Sequence, residues 1–278
     1  MAAVTHPDAV PVRDAATVML VRDTEAGVEV FMLRRSQRLV FTPGAYVFPG
    51  GALDDVDREA AVAQVCVGRD DVAASRLLGV ATGGLAYWVA AVRECFEEAG
   101  VLLACGADGV PLDFDDPLTS ARFRRHRDLL NGGRRTVVDI CDAEQVRLDV
   151  GAIRYFAHWL TPVPAPRRYN TRFFLVGVPP GQRPLHDDGE AVDGFWIRPQ
   201  DAITRWTGEY ELIRPTRECL AALASYARTD ALLADLTTME RVPDVQPRMG
   251  PDGAGVRVLL PGDDGWEAAV RDATGADG

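Results

Sequence analysis

One fifteen-residue stretch, residues 85–99, constrains this chain more than any other part of its sequence. The stretch begins with apolar residues at helical spacing, and Gly100 follows it as a helix-terminating glycine. At 100° per residue, three acidic side chains, Glu94, Glu97 and Glu98, fall on one face of the predicted helix. Like charges at this spacing destabilise a helix by roughly a few tenths of a kcal/mol each, so a compensating cation is the natural explanation.

The chemistry of these three carboxylates indicates which cation they would hold. Ligand sets made only of oxygen favour Mg²⁺ or Mn²⁺ over zinc, and the oxygens of a pyrophosphate can complete such a shell. Arg93 directly precedes the first glutamate and can fix the rotamer of a neighbouring carboxylate. Any one of these glutamates alone is better explained as part of an acidic surface stripe, so the prediction depends on the whole group.

Composition excludes several classes of function. The 278 residues carry 30 basic and 41 acidic side chains, a net charge of -11, which gives no electrostatic support for binding nucleic acid. No stretch approaches the roughly 18 apolar residues of a membrane span, and the N-terminus does not resemble a signal peptide. All the basic residues are arginine, which is typical of a GC-rich bacterial genome.

The five cysteines give a further indication of compartment. They form an odd number and lie in no CxxC or Cys/His zinc pattern. Buried thiols in a reducing compartment are the simplest interpretation, so we expect a cytoplasmic protein with no role in membranes.

Hydrophobic periodicity predicts one elaborated α/β domain. We expect an N-terminal extension over 1–14, a domain over 15–228 and a C-terminal extension over 229–278, with helical insertions at about 58–84 and 105–150. The predicted strands are 15–21, 28–33, 45–48, 101–103, 153–160, 171–178, 193–197 and 256–260. The predicted helices are 58–67, 71–78, 85–99, 116–130, 199–206 and 215–226.

The predicted helix 116–130 carries a second run of like charge. Its basic residues are Arg122, Arg124, Arg125, His126 and Arg127. We interpret this run as a solvated helix face, with a docking surface for a phosphate as the alternative.

The acidic stretch also resembles a known family. Residues 93–101, Arg-Glu-Cys-Phe-Glu-Glu-Ala-Gly-Val, resemble the core of the box of the Nudix hydrolases. The first half of that box is a glycine, five residues and a glutamate; here the sixth residue after Gly51 is Asp57. Residues 58–92 then separate Asp57 from Arg93, 35 residues where the family has seven, so the box is interrupted. A carboxylate in this turn is typical of a helix cap, and we leave Asp57 out of the ligand set.

The interruption is itself a resemblance. The long insert after Phe48-Pro49-Gly50-Gly51 is similar to that of the Nudix subgroup which contains the peroxisomal coenzyme A diphosphatase. Shorter matches to this subgroup are 33–36, 168–174, 189–190, 195–197 and 215–217. The resemblance implies a Nudix-type α/β/α sandwich with a mixed sheet and helical insertions.

The resemblance also implies a reaction and a set of site residues. The reaction is attack of water on one phosphorus of a nucleoside diphosphate linked to another moiety, with Mg²⁺ or Mn²⁺ as cofactor. Glu94, Glu97, Glu98 and the Gly50 carbonyl would hold the metal, Glu94 or Glu190 would be the base, and Arg93 completes the catalytic set. Four arginines would clamp the phosphates: Arg34, Arg35, Arg168 and Arg172.

Three functions stay open at this point. The first is a pyrophosphatase for coenzyme A or acyl-coenzyme A, and the second is the same chemistry on ADP-ribose, a dinucleotide or a nucleotide sugar. The third is a catalytically inactive Nudix-fold binding or regulatory module. In each case the expected partner is a small nucleoside diphosphate derivative, with no nucleic acid and no membrane; whether the chain forms a homodimer is left open.

Overall fold

Two long antiparallel strands at the N-terminus begin the central sheet. In the computed structural model, the described residues are 10–38, 42–163, 165–187, 189, 191–205, 212–238, 242, 244–251 and 256–269. The strands are β1 (Val12–Thr24), β2 (Gly27–Arg35), β3 (Tyr46–Val47), β4 (Gly50–Ala52), β5 (Cys66–Val67), β6 (Ala104–Cys105), β7 (Arg147–Asp149), β8 (Arg154–Leu160), β9 (Arg168–Gly177), β10 (Ala191–Ile197), β11 (Asp244–Val245), β12 (Arg248–Pro251) and β13 (Val256–Leu259).

Eight of these strands form one mixed sheet. Its order is β10-β2-β1-β9-β8-β11, with β3 added to β2 and β4 added to β1. The long β1–β9 pair is parallel, whereas β1–β2 and β8–β9 are antiparallel. β5, β7 and β6 form a separate three-stranded sheet, and β12 with β13 forms a hairpin.

Helices cover both faces of the main sheet. They are α1 (Ala60–Val65), α2 (Asp71–Leu78), α3 (Leu85–Ala99), α4 (Pro117–Asn131), α5 (Val137–Glu144), α6 (Pro199–Arg205), α7 (Arg214–Leu223) and α8 (Thr229–Thr238). Side chains of β1 alternate between two buried clusters: Val18 and Leu20 pack with α3, whereas Met19 and Val21 pack with α6, α7 and α8. The predicted α/β/α sandwich is therefore confirmed.

Several predicted elements differ from the observed ones. Residues 101–103 are buried but form no strand, because the Gln182 side chain bonds both Leu102 N–H, at 2.9 Å, and Leu102 C=O, at 3.0 Å. The predicted helix 58–67 is instead a 3-10 turn (Asp55–Arg58), α1 and β5. Two helices and five strands had no predicted counterpart: α5, α8, β4, β6, β7, β11 and β12. Within the described residues, no helix has the length and apolar character needed to cross a bilayer.

Candidate active site

The acidic residues lie on α3, and other elements cap both ends of that helix. At its start, the Asp71 carboxylate of α2 accepts hydrogen bonds from Gly83 N–H at 3.0 Å and Leu85 N–H at 2.9 Å. At its end, Gly100 has the left-handed conformation at φ 67°, and Arg127 Nε of α4 donates to Glu97 C=O at 2.9 Å. The two helical insertions thus satisfy backbone groups at both ends of the helix.

Packing decides which acidic side chains stay accessible. Every residue of α3 except Glu94 and Glu97 is buried. Trp88, fully buried in the middle of the helix, donates through its indole N–H to Ile153 C=O at 3.2 Å. The apolar packing of the rest of the helix therefore leaves only these two glutamates partly open.

Arg93 connects the acidic residues to the loop after β4. Its Nη1 donates to Glu94 Oε1 at 2.8 Å and to Glu97 Oε2 at 2.9 Å. Its Nε and Nη2 donate to the two Asp57 oxygens at 3.0 and 2.9 Å, and Nη2 also donates to Ala52 C=O at 2.9 Å. These contacts use all five N–H groups of the guanidinium. Arg93 therefore positions carboxylates and has no donor left for a substrate.

Asp57, which the sequence predicts only as a helix cap, is part of the site. Its side chain is fully buried and pairs with Arg93 through both oxygens, in the fork geometry that arginine and carboxylates favour. It also accepts from Asp54 N–H at 2.8 Å, the capping contact expected of this turn. The signal that could have found it was its place as the sixth residue after Gly51.

Two consecutive glycines bring the β4 backbone against the glutamates. Gly50 N–H donates to Glu98 Oε2 at 2.8 Å. A Cβ atom on Gly51 would lie only 2.5 Å from Glu94 Oε1, so a side chain at this position would displace the carboxylate. A Cβ on Gly50 would lie 2.5 Å from Ala16 C=O. Both positions require glycine for reasons of space.

The electrostatics of this cluster leave negative charge in excess. Burial, the largest effect, and the nearby charge of Glu97 together raise the pKa of Glu94 to about 7, although Arg93 opposes both. Burial likewise raises the pKa of Glu97. Burial alone would lower the pKa of Arg93, but its hydrogen bonds to Asp57 and the charges around it raise that pKa well above the ordinary value. One guanidinium is thus shared among several carboxylates.

The chemistry of this donor set fits a hard divalent cation. Glu94, Glu97 and Glu98 supply only oxygen. Burial raises the pKa of Glu94 and of Glu97, and a cation bound between them would favour their charged forms. Within the described part of the chain, no three His, Cys, Asp or Glu side chains converge on one point, because Arg93 lies between Glu94 and Glu97. The residues that would hold Mg²⁺ or Mn²⁺ are these three glutamates, with the Gly50 carbonyl.

A cleft of about 730 Å³ opens beside the acidic residues. Glu94, Gly50 and Gly51 form one part of its wall. The remaining wall is largely apolar and aromatic, and it includes three arginines, Arg35, Arg167 and Arg214. Its other residues are Ala15, Thr17, Thr42, Val47, Phe48, Ala52, Trp159, Leu160, Thr161, Pro162, Tyr169, Thr171, Phe173, Ile213, Pro215, Thr216, Pro247 and Val258. Concave, mostly apolar sites with a few charged groups are typical of small-molecule binding.

Of the four arginines predicted to clamp phosphates, Arg35 alone lines the cleft. Arg34 is exposed and its guanidinium lies 5.8 Å from the centre of the Tyr46 ring. Arg168 Nε donates to Thr161 C=O at 3.1 Å. Arg172 lies on the opposite face of β9 from Thr171 and is 5% exposed, with Nη1 donating to the Tyr155 hydroxyl at 2.8 Å.

One further predicted site residue is not described, and several cleft residues were not predicted. Glu190, the second candidate base, lies outside the described residues. Arg167 and Arg214 line the cleft but were not predicted, and no charge pattern in the sequence marks them. On β9, Tyr169, Thr171 and Phe173 line the cleft at every second position, which strand alternation indicates once one of them is known to face it.

Comparison with known proteins agrees with this geometry. The family model described as the NUDT19 Nudix domain matches residues 69–217, which is more than half of the chain. The chain belongs to the Nudix hydrolase family. A crystal structure of a Nudix hydrolase from Alicyclobacillus acidocaldarius superposes with a TM-score of 0.67 at 28% identity, covering 81% of this chain and 97% of that one.

Two curated relatives of this Nudix protein carry the name acyl-coenzyme A diphosphatase NUDT19. The relative from Gallus gallus is 29% identical over 222 residues, which is 67% of this chain and 58% of the relative. The one from Homo sapiens is 30% identical over 211 residues, which is 63% of this chain and 55% of the relative. The chain thus spans a little over half the length of these two relatives.

Proposed function

We propose that this Nudix protein is a metal-dependent pyrophosphatase that hydrolyses coenzyme A or acyl-coenzyme A. The observation that carries the proposal is that Glu94, held by Arg93 within the acidic cluster, lines a large cleft with aromatic and cationic walls. The names of the two NUDT19 relatives support the choice of substrate.

The residues divide the reaction between them. Glu94, Glu97 and Glu98 with the Gly50 carbonyl hold Mg²⁺ or Mn²⁺, which when bound offsets the charge of the phosphate oxygens and lowers the pKa of the attacking water. Arg93 keeps Glu94 and Glu97 in their rotamers. Glu94, the acidic residue on the cleft wall, accepts the proton of that water as it attacks one phosphorus and the P–O bond of the anhydride breaks. No covalent nucleophile is required.

The charge and the shape of the cleft favour coenzyme A over other nucleoside diphosphate derivatives as the substrate. Coenzyme A carries phosphate groups on a nucleoside together with a long arm, and both parts need a binding surface. Arg35, Arg167 and Arg214 place three guanidinium groups on the cleft wall. Trp159 and Phe173 offer aromatic surface on the same wall.

The test is a substrate panel with the purified chain and Mg²⁺ or Mn²⁺. Coenzyme A, octanoyl-coenzyme A, ADP-ribose, a dinucleoside polyphosphate and a nucleotide sugar are incubated in parallel, and products are separated by chromatography. We expect 3′,5′-adenosine diphosphate and a phosphopantetheine from the first two. Turnover of ADP-ribose without turnover of coenzyme A would replace the substrate, and turnover of none would favour the binding module.

A further inference from the structure

The cleft runs across the sheet, and its two ends differ in chemistry. We infer that the C-terminal segment, residues 244–251 and 256–269, forms the far wall of the cleft and binds the apolar arm of an acylated nucleoside diphosphate. This inference rests on the proposed function and assigns a specificity-determining role to residues that lie beyond those matched by the family model, 69–217.

Sheet register gives the length of the cleft. Ala52 of β4 pairs with Ala15 of β1, Ala15 with Thr171 of β9, Thr171 with Trp159 of β8, and Trp159 with Val245 of β11. The first four of these residues line the cleft, and Pro247 follows β11 on the same wall. Four steps between neighbouring strands at about 4.8 Å each give about 19 Å from the glycine strand to the C-terminal segment.

The near end of this row is polar and the far end is apolar. Glu94 lies against Gly51 of β4, where the diphosphate would lie. At the other end Trp159, Pro247 and Val258 line the wall, and the charge of Arg214, which also lines the cleft, is offset by Asp263 and Glu218. A ligand that fills both ends must join a charged group to an apolar one across roughly this 19 Å. An acylated arm on a diphosphate has that form, whereas the second ribose of ADP-ribose does not extend so far.

The C-terminal segment is fixed against the rest of the molecule. β11 extends the main sheet in parallel with β8. Asp263 Oδ2 lies 3.1 Å from Arg214 Nη2 at the start of α7, which joins the segment to another part of the cleft wall. Within the segment, the Arg248 guanidinium lies 4.0 Å from the centre of the Trp266 ring, and Leu259 is buried. This wall is therefore part of the folded structure and can discriminate between ligands.

A charged side chain on the far wall tests the inference. In Val258→Glu, a carboxylate enters the apolar end, and we expect the KM for octanoyl-coenzyme A to rise at least tenfold. The KM for coenzyme A without the acyl group should rise by a clearly smaller factor, because only the acyl group reaches the apolar end, and the ratio of the two KM values measures the effect. The matched control is Ala268→Glu, which adds the same charge at an exposed position of the same segment and should alter neither KM.

Two further measurements keep the outcomes distinct. Val258→Ala removes apolar surface without adding charge, so a two- to threefold rise in the same KM is expected even if the glutamate variant folds poorly. Binding of octanoyl-coenzyme A is also titrated calorimetrically in EDTA, where hydrolysis plays no part. Binding without turnover in metal would refute the proposed function alone. Equal effects of Val258→Ala on the acylated and free substrates, no effect on either, or no binding by the unaltered chain would overturn the inference.

Discussion

Two helices carry runs of like charge, and the structure treats them in opposite ways. The acidic turn of α3 is largely buried, and one guanidinium, that of Arg93, bonds three carboxylates there. The basic stretch of α4 leaves Arg124 and Arg125 exposed, and Arg122 pairs with Glu144 at 2.8 Å on the surface. Its two inward-facing residues do not fit the predicted solvated face, because His126 is buried against Glu144 and Arg127 bonds the Glu97 carbonyl. A run of like charge therefore indicates a ligand site when folding buries it with fewer opposite charges than it carries.

The first prediction removes one negative charge from the acidic turn of α3. Glu97→Gln keeps the shape of the side chain but removes a charge that the proposed metal site needs. We expect kcat to fall by about a hundredfold to a thousandfold with little change in Tm. Arg124→Gln, which removes an exposed charge from α4, should leave kcat within twofold. Steady-state turnover of coenzyme A measures both, and unchanged turnover in Glu97→Gln would refute the ligand assignment.

The second prediction concerns the pair that joins the two halves of the site. Asp57→Asn leaves the buried Arg93 without its charged partner, so we expect the free energy of unfolding to fall by about 3 kcal/mol. Urea denaturation followed by circular dichroism provides the measurement. Asp55→Asn, an exposed change in the same turn, serves as the control and should cost less than about 0.5 kcal/mol. Equal losses in the two variants would contradict the assigned role of Asp57.

The third prediction adds the proposed cation. An ion that binds only the folded chain stabilises it by about 2.7 kcal/mol at a hundredfold excess over its Kd, so Tm should rise by several degrees in Mn²⁺ or Mg²⁺. Glu98→Gln should abolish most of this rise, whereas Glu144→Gln, in the basic region, should retain it. Differential scanning fluorimetry with and without EDTA decides the matter, and the same rise in Glu98→Gln would exclude this residue as a ligand.

The smallest effect is expected on the basic side. Burial acts to raise the pKa of Glu144, but hydrogen bonds from His126 and Arg122 outweigh it and hold that pKa below the ordinary 4.5. A carboxylate with a lowered pKa stabilises the fold above its unfolded-state pKa, and this contribution is lost as the pH falls through the folded-state value. Glu144→Gln should therefore cost about 1 kcal/mol at neutral pH.

The pH dependence of that cost is itself measurable. Urea unfolding of the unaltered chain and Glu144→Gln at neutral pH and at about pH 3 should give a difference that shrinks on acidification. A difference that grows as the pH falls would show that the interaction does not depend on the charged carboxylate.

The sequence predicted the parts of this structure that depend on local patterns. α2 and α3 begin and end at the predicted residues, since Asp70 caps α2 and the left-handed Gly100 ends α3. The antiparallel pair β1 and β2 was also predicted, although both strands are longer than expected. Residues 101–103 were wrongly predicted as a strand because the partner of Leu102, the Gln182 side chain, lies 80 positions away.

In the candidate site, too, local sequence patterns predicted some residues, whereas others depend on long-range strand pairing. The acidic face of α3 follows from helical periodicity, whereas the cleft wall requires knowledge of which strands are neighbours. Pro247 and Val258 reach the cleft because β11 joins β8, a pairing between residues more than 80 positions apart. Arg172 carries the same charge as Arg35 but faces the buried side of the sheet, which the register of β9 decides.

The pairing of Asp57 with Arg93 has a consequence for how such a fold can change. The two halves of the acidic motif meet through side chains, 2.9 Å apart, so the backbone between them is free to vary in length. Widening that loop from seven residues to 35 adds only about 1.4 kcal/mol of closure entropy. The added residues offset this by contributing Val62, Val65, Ala74 and Leu78 to the interior. An insertion between the two segments that form the site can thus add folded structure while the geometry of the site is preserved.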